Sequence, residues 1–368
     1  MQHISELRGI LRSQLTMDKR KLECAVQVIV SIIVLRTVNL SSLAKQLSGK
    51  AQLSSRYRRI QRLLHDWPER TDWLGPWLLS WFYDEDEAIN LTMDRTNWQF
   101  GKTKINFLVV GVTYKRMAIP IMWSLLPKKG NSNCSERIQI LKRVLKYLPQ
   151  SRIKNLLCDR EFVGHQWFSW LKNHEIPYKI RIKDNYLTLT SGGNETTVAA
   201  LFHHLPRGHK ESLGREQLIT SHGIKVYLTG SRLVSGELMV IASDSADEGA
   251  IEAYCERWEI ETLFQNLKSR GFDFETTHIT DTKRLSALMT LAAIAACWCY
   301  RIGEWRIEQG QLIKIKKHGR PSISLFRHGL DYIADILGRF SQWRSIKPLL
   351  TIWELLKPPK CQAEVLAM

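Results

Sequence analysis

The chain has 368 residues, and 53 lysines and arginines against 36 aspartates and glutamates leave a formal charge of +17. At 44% hydrophobic and 24% charged it has the make-up of a globular protein of about two or three domains, which excludes disorder and collagen-like architectures. So large a basic surplus points to a polyanionic partner, nucleic acid first, because clustered Lys and Arg release the counterions condensed on phosphates.

The amino terminus, Met1-Gln2-His3-Ile4-Ser5-Glu6-Leu7-Arg8, lacks the basic-then-apolar plan of a secretory signal, so a cytoplasmic location is expected. Cysteines at 24, 134, 158, 255, 297, 299 and 361 include no C-x-x-C pair, which argues against a disulfide framework and a cysteine zinc site. The longest apolar runs, Ala25–Leu35 and Ala287–Tyr300, fall short of the 18 or so residues of a bilayer span, and both read as buried helices with no membrane partner.

Residues 1–85 read as a helical domain, since Leu22, Ala25, Val26, Ile29, Ile32 and Ile33 recur at helical intervals. Two further helix starts follow, with Ser41-Ser42 and Ser54-Ser55 as expected N-caps and Gly49 between them. A short helix, a glycine-containing turn and an arginine-rich helix make a helix-turn-helix-like unit. Arg56, Arg58, Arg59 and Arg62 are its expected contacts to phosphates or a major groove.

From about residue 88 the period changes to that of strands. Ile89–Asp94, Ile105–Val112 and Met117–Leu125 predict a three-stranded meander, separated by Asn97–Lys104 and by Tyr114-Lys115-Arg116. A helix over Ser135–Tyr147, a strand over Ile153–Asp159, a helix over Gly164–His174 and a strand over Tyr178–Ile182 come next. The order β-β-β-α-β-α is that of a ribonuclease-H-like core, so the fold class is mixed α/β. Residues 184–236 read as a β-rich insertion with Ile224–Thr229 as one strand, before Glu237–Ser243 and a single long helix from Asp247 to Arg270. The expected organisation is a helical domain over 1–85, a core over 86–183 and 237–306 interrupted by the insertion 184–236, and a helical carboxyl-terminal region over 307–368.

Asp94 and Asp159 end two apolar strand candidates, and a carboxylate there is costly to bury unless it is paired, hydrogen-bonded or on a metal. A third acid lies on the long helix, where Tyr254, Arg257, Glu261, Phe264 and Lys268 are spaced to fall on one face. Phenol, guanidinium, carboxylate, phenyl and ammonium in one stripe suit neither an aliphatic core nor a purely solvated face.

These motifs resemble the DDE transposases of bacterial insertion sequences, specifically the fourth insertion-sequence family. Tyr254, Arg257, Glu261 and Lys268 match its helix signature without a gap; Asp94 in Met-Asp-Arg-Thr-Asn-Trp and Asp159 in Cys-Asp-Arg-Glu-Phe match its two aspartates. The resemblance runs from about Ile89 to Trp305. It implies that Asp94, Asp159 and Glu261 are catalytic and hold two Mg²⁺ or Mn²⁺ ions, with no small-molecule cofactor.

By the same resemblance the enzyme cuts double-stranded DNA at terminal inverted repeats, forms a hairpin and joins the ends to target DNA, working as a homodimer beside the bacterial nucleoid. Arg257, Lys268 and Tyr254 are then expected on phosphates, and Trp258 on an unpaired base. Two departures stand out: no tryptophan lies between Trp170 and Trp258, leaving Tyr227 as another aromatic for the base, and Glu161 stands where many relatives have a small residue. A catalytically inactive DNA-binding relative and a structure-selective nuclease are the alternatives. Asp84-Glu85-Asp86-Glu87 reads as a solvated loop, His203, His204 and His209 lack zinc-ligand spacing, and Lys314–Arg320 is a second basic stretch.

Overall fold

A computed structural model describes residues 2–13, 15–69, 72–317, 319–338 and 347–357. The chain divides into two units, one of residues 1–84, 98–105 and 264–368, the other of residues 85–97 and 106–263.

The first unit opens with α1 (Gln2–Arg12), α2 (Lys19–Leu35), α3 (Leu40–Gln46), α4 (Leu53–His65) and α5 (Leu74–Leu79). Asp18 caps α2 by accepting the amides of Arg20 and Lys21, and α2 buries the apolar run from Ala25 on. The expected serine caps are corrected. Asn39 caps α3, its Oδ1 taking the amides of Ser41 at 3.1 Å and Ser42 at 3.2 Å, because Leu40 is drawn into the helix and buried. Gln52 precedes α4 with no side-chain cap, so Ser54 and Ser55 lie inside its first turn.

The second unit is built on a mixed sheet. Its strands are β1 (Ile89–Phe100), β2 (Thr103–Tyr114), β3 (Met117–Leu125), β4 (Ile153–Cys158), β5 (Tyr178–Ile182), β6 (Leu187–Leu189), β7 (Glu195–Thr197), β8 (Lys210–Ser212), β9 (Gln217–Ile219), β10 (Ile224–Arg232) and β11 (Leu238–Ser243). The order across the sheet is β3-β2-β1-β4-β5-β11-β10-β9-β6-β7, with β8 beside β10. β1, β4 and β5 are parallel, while β11 is antiparallel to β5 and β10 to β11. Helices α6 (Cys134–Val144), α7 (His165–Asn173), α8 (Val198–Leu201), α9 (Ala250–Cys255) and α10 (Trp258–Leu267) complete the chain to the unit boundary. This mixed α/β sheet with its β3-β2-β1-β4-β5 start is consistent with a ribonuclease-H-like fold.

Two expectations are corrected. β1 does not stop at Asp94 but runs to Phe100, and the expected loop Asn97–Lys104 shrinks to the turn Gly101-Lys102, with Gly101 at φ +57° reversing the chain. Asp94 is therefore mid-strand. The single helix Asp247–Arg270 is broken into α9 and α10 at Glu256-Arg257, where Glu256, Arg257, Glu259 and Ile260 each donate their amide three residues back.

The chain closes in the first unit with α11 (Thr282–Glu308), α12 (Leu325–Gly338) and α13 (Lys347–Leu356). The run Ala287–Tyr300 lies in α11, which is long and apolar enough to cross a bilayer, contrary to the expectation from the run alone; 89% of its apolar window is buried by protein. At Gly303 and Gly329 the backbones of α11 and α12 meet so closely that a Cβ at either would overlap a carbonyl oxygen of the other helix.

Candidate active site

Parallel pairing sets the two aspartates side by side. Met93 is in register with Cys158, so Asp94 and Asp159 each follow a matched residue on neighbouring strands. Asp159 opens a 3₁₀ turn over Arg160–Phe162 and accepts the Arg160 amide at 2.7 Å; Asp94 accepts the Arg95 amide at 2.7 Å through Oδ1. Burial pushes the Asp94 carboxyl up to about 7, against the pull of Arg257 and the Arg95 amide, with the negative charges of Glu161 and Asp159 adding to the rise.

Arg257 joins Asp94 to the helix. Its Nη1 lies 3.2 Å from Asp94 Oδ2 and its Nη2 2.6 Å from Glu261 Oε1. The guanidinium is buried between two rings, 5.7 Å from that of Tyr254 and 5.3 Å from that of Trp258. Burial alone would lower its pKa, but Tyr254, Asp94, Glu261 and Asp159 together hold it more firmly protonated. Three acids far apart in sequence thus bear on one cation. Among the described residues Arg257 Nε, which is buried, has no hydrogen-bond partner; Tyr254 is buried, and Trp258 leaves 42% of its surface exposed.

Lys268 lies past the end of α10 in the first unit, where Nζ pairs with Glu275 at 2.7 Å and stands 5.8 Å from the Trp98 ring. On α4, Arg58 and Arg62 are exposed, while Arg56 folds back onto the carbonyls of Gly49 and Ala51. Arg59 turns inward to Gln27 Oε1 at 3.1 Å. Residues 84–87 are exposed as a solvated loop should be, and His204 pairs with Glu211.

Several residues around the aspartates escape sequence reasoning. Arg95 spends all five of its N–H donors: two on the Glu161 carboxylate at 2.6 and 2.7 Å, and the others on Asn106, the Gly130 carbonyl and Asn131. Arg137 of α6 holds the same turn by donating to the Glu161 carbonyl at 2.8 Å. The one available signal was the repeated Asp-Arg at 94–95 and 159–160.

The helix break is anchored by acids of its own. Glu256 accepts from Asn90 and Thr113, both at 2.8 Å, and Glu259 takes the amides of Tyr114 and Arg116. The β2–β3 turn it braces places Lys115 and Arg116 at positive φ.

Among the described residues no three His, Cys, Asp or Glu side chains form a ready-made metal-ligand group. The donor chemistry nonetheless fits hard divalent ions: Asp94 Oδ2 and Glu261 Oε1 face one positive charge from two sides, with Asp159 in electrostatic reach. All of the oxygens are carboxylates.

Asp94 within β1 and Asp159 just after the neighbouring β4, beside an arginine and a glutamate at a helix start, fit the class of metal-dependent enzymes that cut nucleic-acid backbones. The family described as Transposase DDE domain matches residues 93–298, and the chain belongs to it: a DDE insertion-sequence transposase, which binds and cuts DNA with divalent metal ions. Among curated proteins no match was found.

Proposed function

We propose that Asp94, Asp159 and Glu261 are the catalytic, metal-holding acids of a cut-and-paste transposase of the fourth insertion-sequence family. The observation that carries this reading is the bridging of Asp94 and Glu261 by one buried guanidinium beside Asp159. These carboxylates would hold two divalent ions, which would supply Lewis-acid charge to the phosphate and lower the pKa of the attacking water.

The chain's own side chains do the positioning. Arg257 neutralises the acids in the free protein, and its unpaired Nε gives it a donor for a phosphate oxygen once DNA arrives. Tyr254 supports that guanidinium from below, and the exposed Trp258 ring stacks on the base unpaired during hairpin formation. Tyr227, half-buried on β10, is a weaker candidate for that base. Lys268 supplies a point charge to the DNA backbone.

Residues 1–85 serve as the terminal-repeat reader, with Arg58 and Arg62 on its exposed face, and 184–236 as the β-rich insertion of a core over 86–183 and 237–306. Residues 307–368 form the carboxyl-terminal helical region, of which 318, 339–346 and 358–368 lie outside the described residues. Paired ends imply a homodimer.

The test is nicking of a duplex carrying the inverted repeat that flanks the coding region, with Mg²⁺ or Mn²⁺. Cleavage should vanish in Asp94→Ala, Asp159→Ala and Glu261→Ala while DNA binding persists. Cleavage that survives any of the three substitutions removes that residue from the catalytic set, and hairpin ends missing from the products remove the hairpin route.

A further inference from the structure

The corner between α11 and α12 carries a short β-hairpin that the active site does not use. Ile315 bridges to Pro321, Lys316 N donates to Arg320 O at 2.8 Å, Ser322 N to Lys314 O at 2.7 Å, and Gly319 at φ +78° makes the turn. His318 lies outside the described residues. From Gln309 to Leu330 the chain holds no Asp or Glu, yet it holds Lys314, Lys316, Lys317, Arg320 and Arg327. The first four of these are exposed, and none has an ion-pair partner among the described residues.

The hairpin stands on a rigid base. The helices that carry it meet backbone to backbone at Gly303 and Gly329, leaving no room for them to shear. His328 Nε2 donates to the Gln311 carbonyl at 2.9 Å, and Arg306 Nη1 donates to the His328 carbonyl at 3.3 Å, tying the first strand of the hairpin to both helices.

We propose that this hairpin is a second DNA contact that grips duplex DNA through its phosphates without regard to sequence. Four unpartnered cations on a preformed two-stranded ribbon lose little entropy on meeting a polyphosphate, and a β-ribbon is narrow enough to enter a groove. Asn and Gln, which pair bidentately with adenine, do not occur between Leu312 and Ser322, and the cations that do occur there suit phosphate oxygens along any sequence. The exposed Leu312 and Ile315 flank the charges, as apolar wedges do beside a groove. The inference rests on the family's DNA binding and not on the assignment of Asp94, Asp159 or Glu261.

The experiment uses the full chain without metal, so its failure and that of the catalytic reading are separable. Binding to a random-sequence duplex and to a terminal-repeat duplex is measured from 50 to 200 mM salt, ranges in which phosphate contacts dominate. Lys314→Gln, Lys316→Gln, Lys317→Gln and Arg320→Gln combined should lower the log–log salt slope by about 3 to 4 on the random duplex, roughly 0.9 for each lost phosphate contact. The companion Leu312→Ser, Ile315→Ser keeps the cations and should keep the slope. If the fourfold variant misfolds, the Lys317→Gln, Arg320→Gln pair should still lower the slope by about 2. A slope unchanged on the random duplex overturns the proposal. So does a loss confined to the terminal-repeat duplex, or binding to phosphatidylserine vesicles that exceeds binding to DNA.

Discussion

Arg95 and Glu161 are joined by two parallel hydrogen bonds of 2.6 and 2.7 Å, across 66 residues of sequence. Arg95 directly follows Asp94, and Glu161 lies two residues after Asp159, so the pair staples together the two backbone segments that carry the aspartates. Both side chains are largely buried, at 11% and 18% exposure, where a bidentate pair is geometrically exacting.

Breaking the staple should loosen the aspartates without removing them. Arg95→Gln or Glu161→Gln is expected to raise the Mn²⁺ concentration needed for half-maximal cleavage by about 10–100-fold, as loss of a ligand-orienting partner commonly does, with KM for DNA unchanged. Arg95→Glu combined with Glu161→Arg should recover part of that loss. Titration of cleavage rate against Mn²⁺ decides it, since a purely structural role would move melting temperature and leave the metal dependence alone.

Arg257 serves two acids at once, and its removal should expose their repulsion. Arg257→Ala is expected to cost about 3 kcal/mol in chelator, the scale of a broken buried ion pair. The deficit should shrink in Mg²⁺, because the divalent ion replaces the missing charge. Thermal melting of both proteins with and without Mg²⁺ measures the difference, and an equal deficit in both buffers would count against metal binding at these acids.

The four arginines of α4 should separate by role. Arg58→Gln with Arg62→Gln is expected to weaken DNA binding and lower the salt slope by about 2 with melting temperature unchanged, as two exposed phosphate contacts require. Arg59→Ala should instead lower the melting temperature, because its side chain holds Gln27 of α2. Parallel melting and salt-titration series on the two variants test the division.

Acid stability should report on Lys179 and Asp247. Burial pushes Asp247 up, but the Lys179 ammonium at 3.0 Å and the Gly249 amide at 2.8 Å outweigh it and hold the carboxyl below its usual 3.8. Asp244, at 4.0 Å from the same ammonium, and Lys154 also face the pair. A depressed folded-state value means the unfolded chain takes up the proton first as pH falls. The stabilisation is therefore fully present above the unfolded 3.8 and is lost as pH falls below it through the lower folded-state value. Asp247→Asn should lower the melting temperature at pH 7, and the gap should close as pH is taken below 3.8.

Much of this was legible in the chain. β5 follows from the alternation in Tyr178-Lys179-Ile180-Arg181-Ile182, and the aspartate just past β4 from the apolar run Leu156-Leu157-Cys158 before it. The Arg257 link between Asp94 and Glu261 was not legible locally, since no local pattern encodes a contact between Asp94 and Arg257. The stripe's spacing brings Arg257 to Tyr254 and Glu261 in spite of the break at Glu256-Arg257, while Lys268 lies one residue past the end of α10. Arg95 and Glu161 were illegible because a pairing between side chains depends on β1–β4 register, which spacing does not supply.

The glycine-on-glycine crossing of α11 and α12 also says where this chain can change length. Helices pressed together at their backbones form a vice that added residues cannot prise open, so an insertion between Gln309 and Ser324 must extend outward as a longer arm.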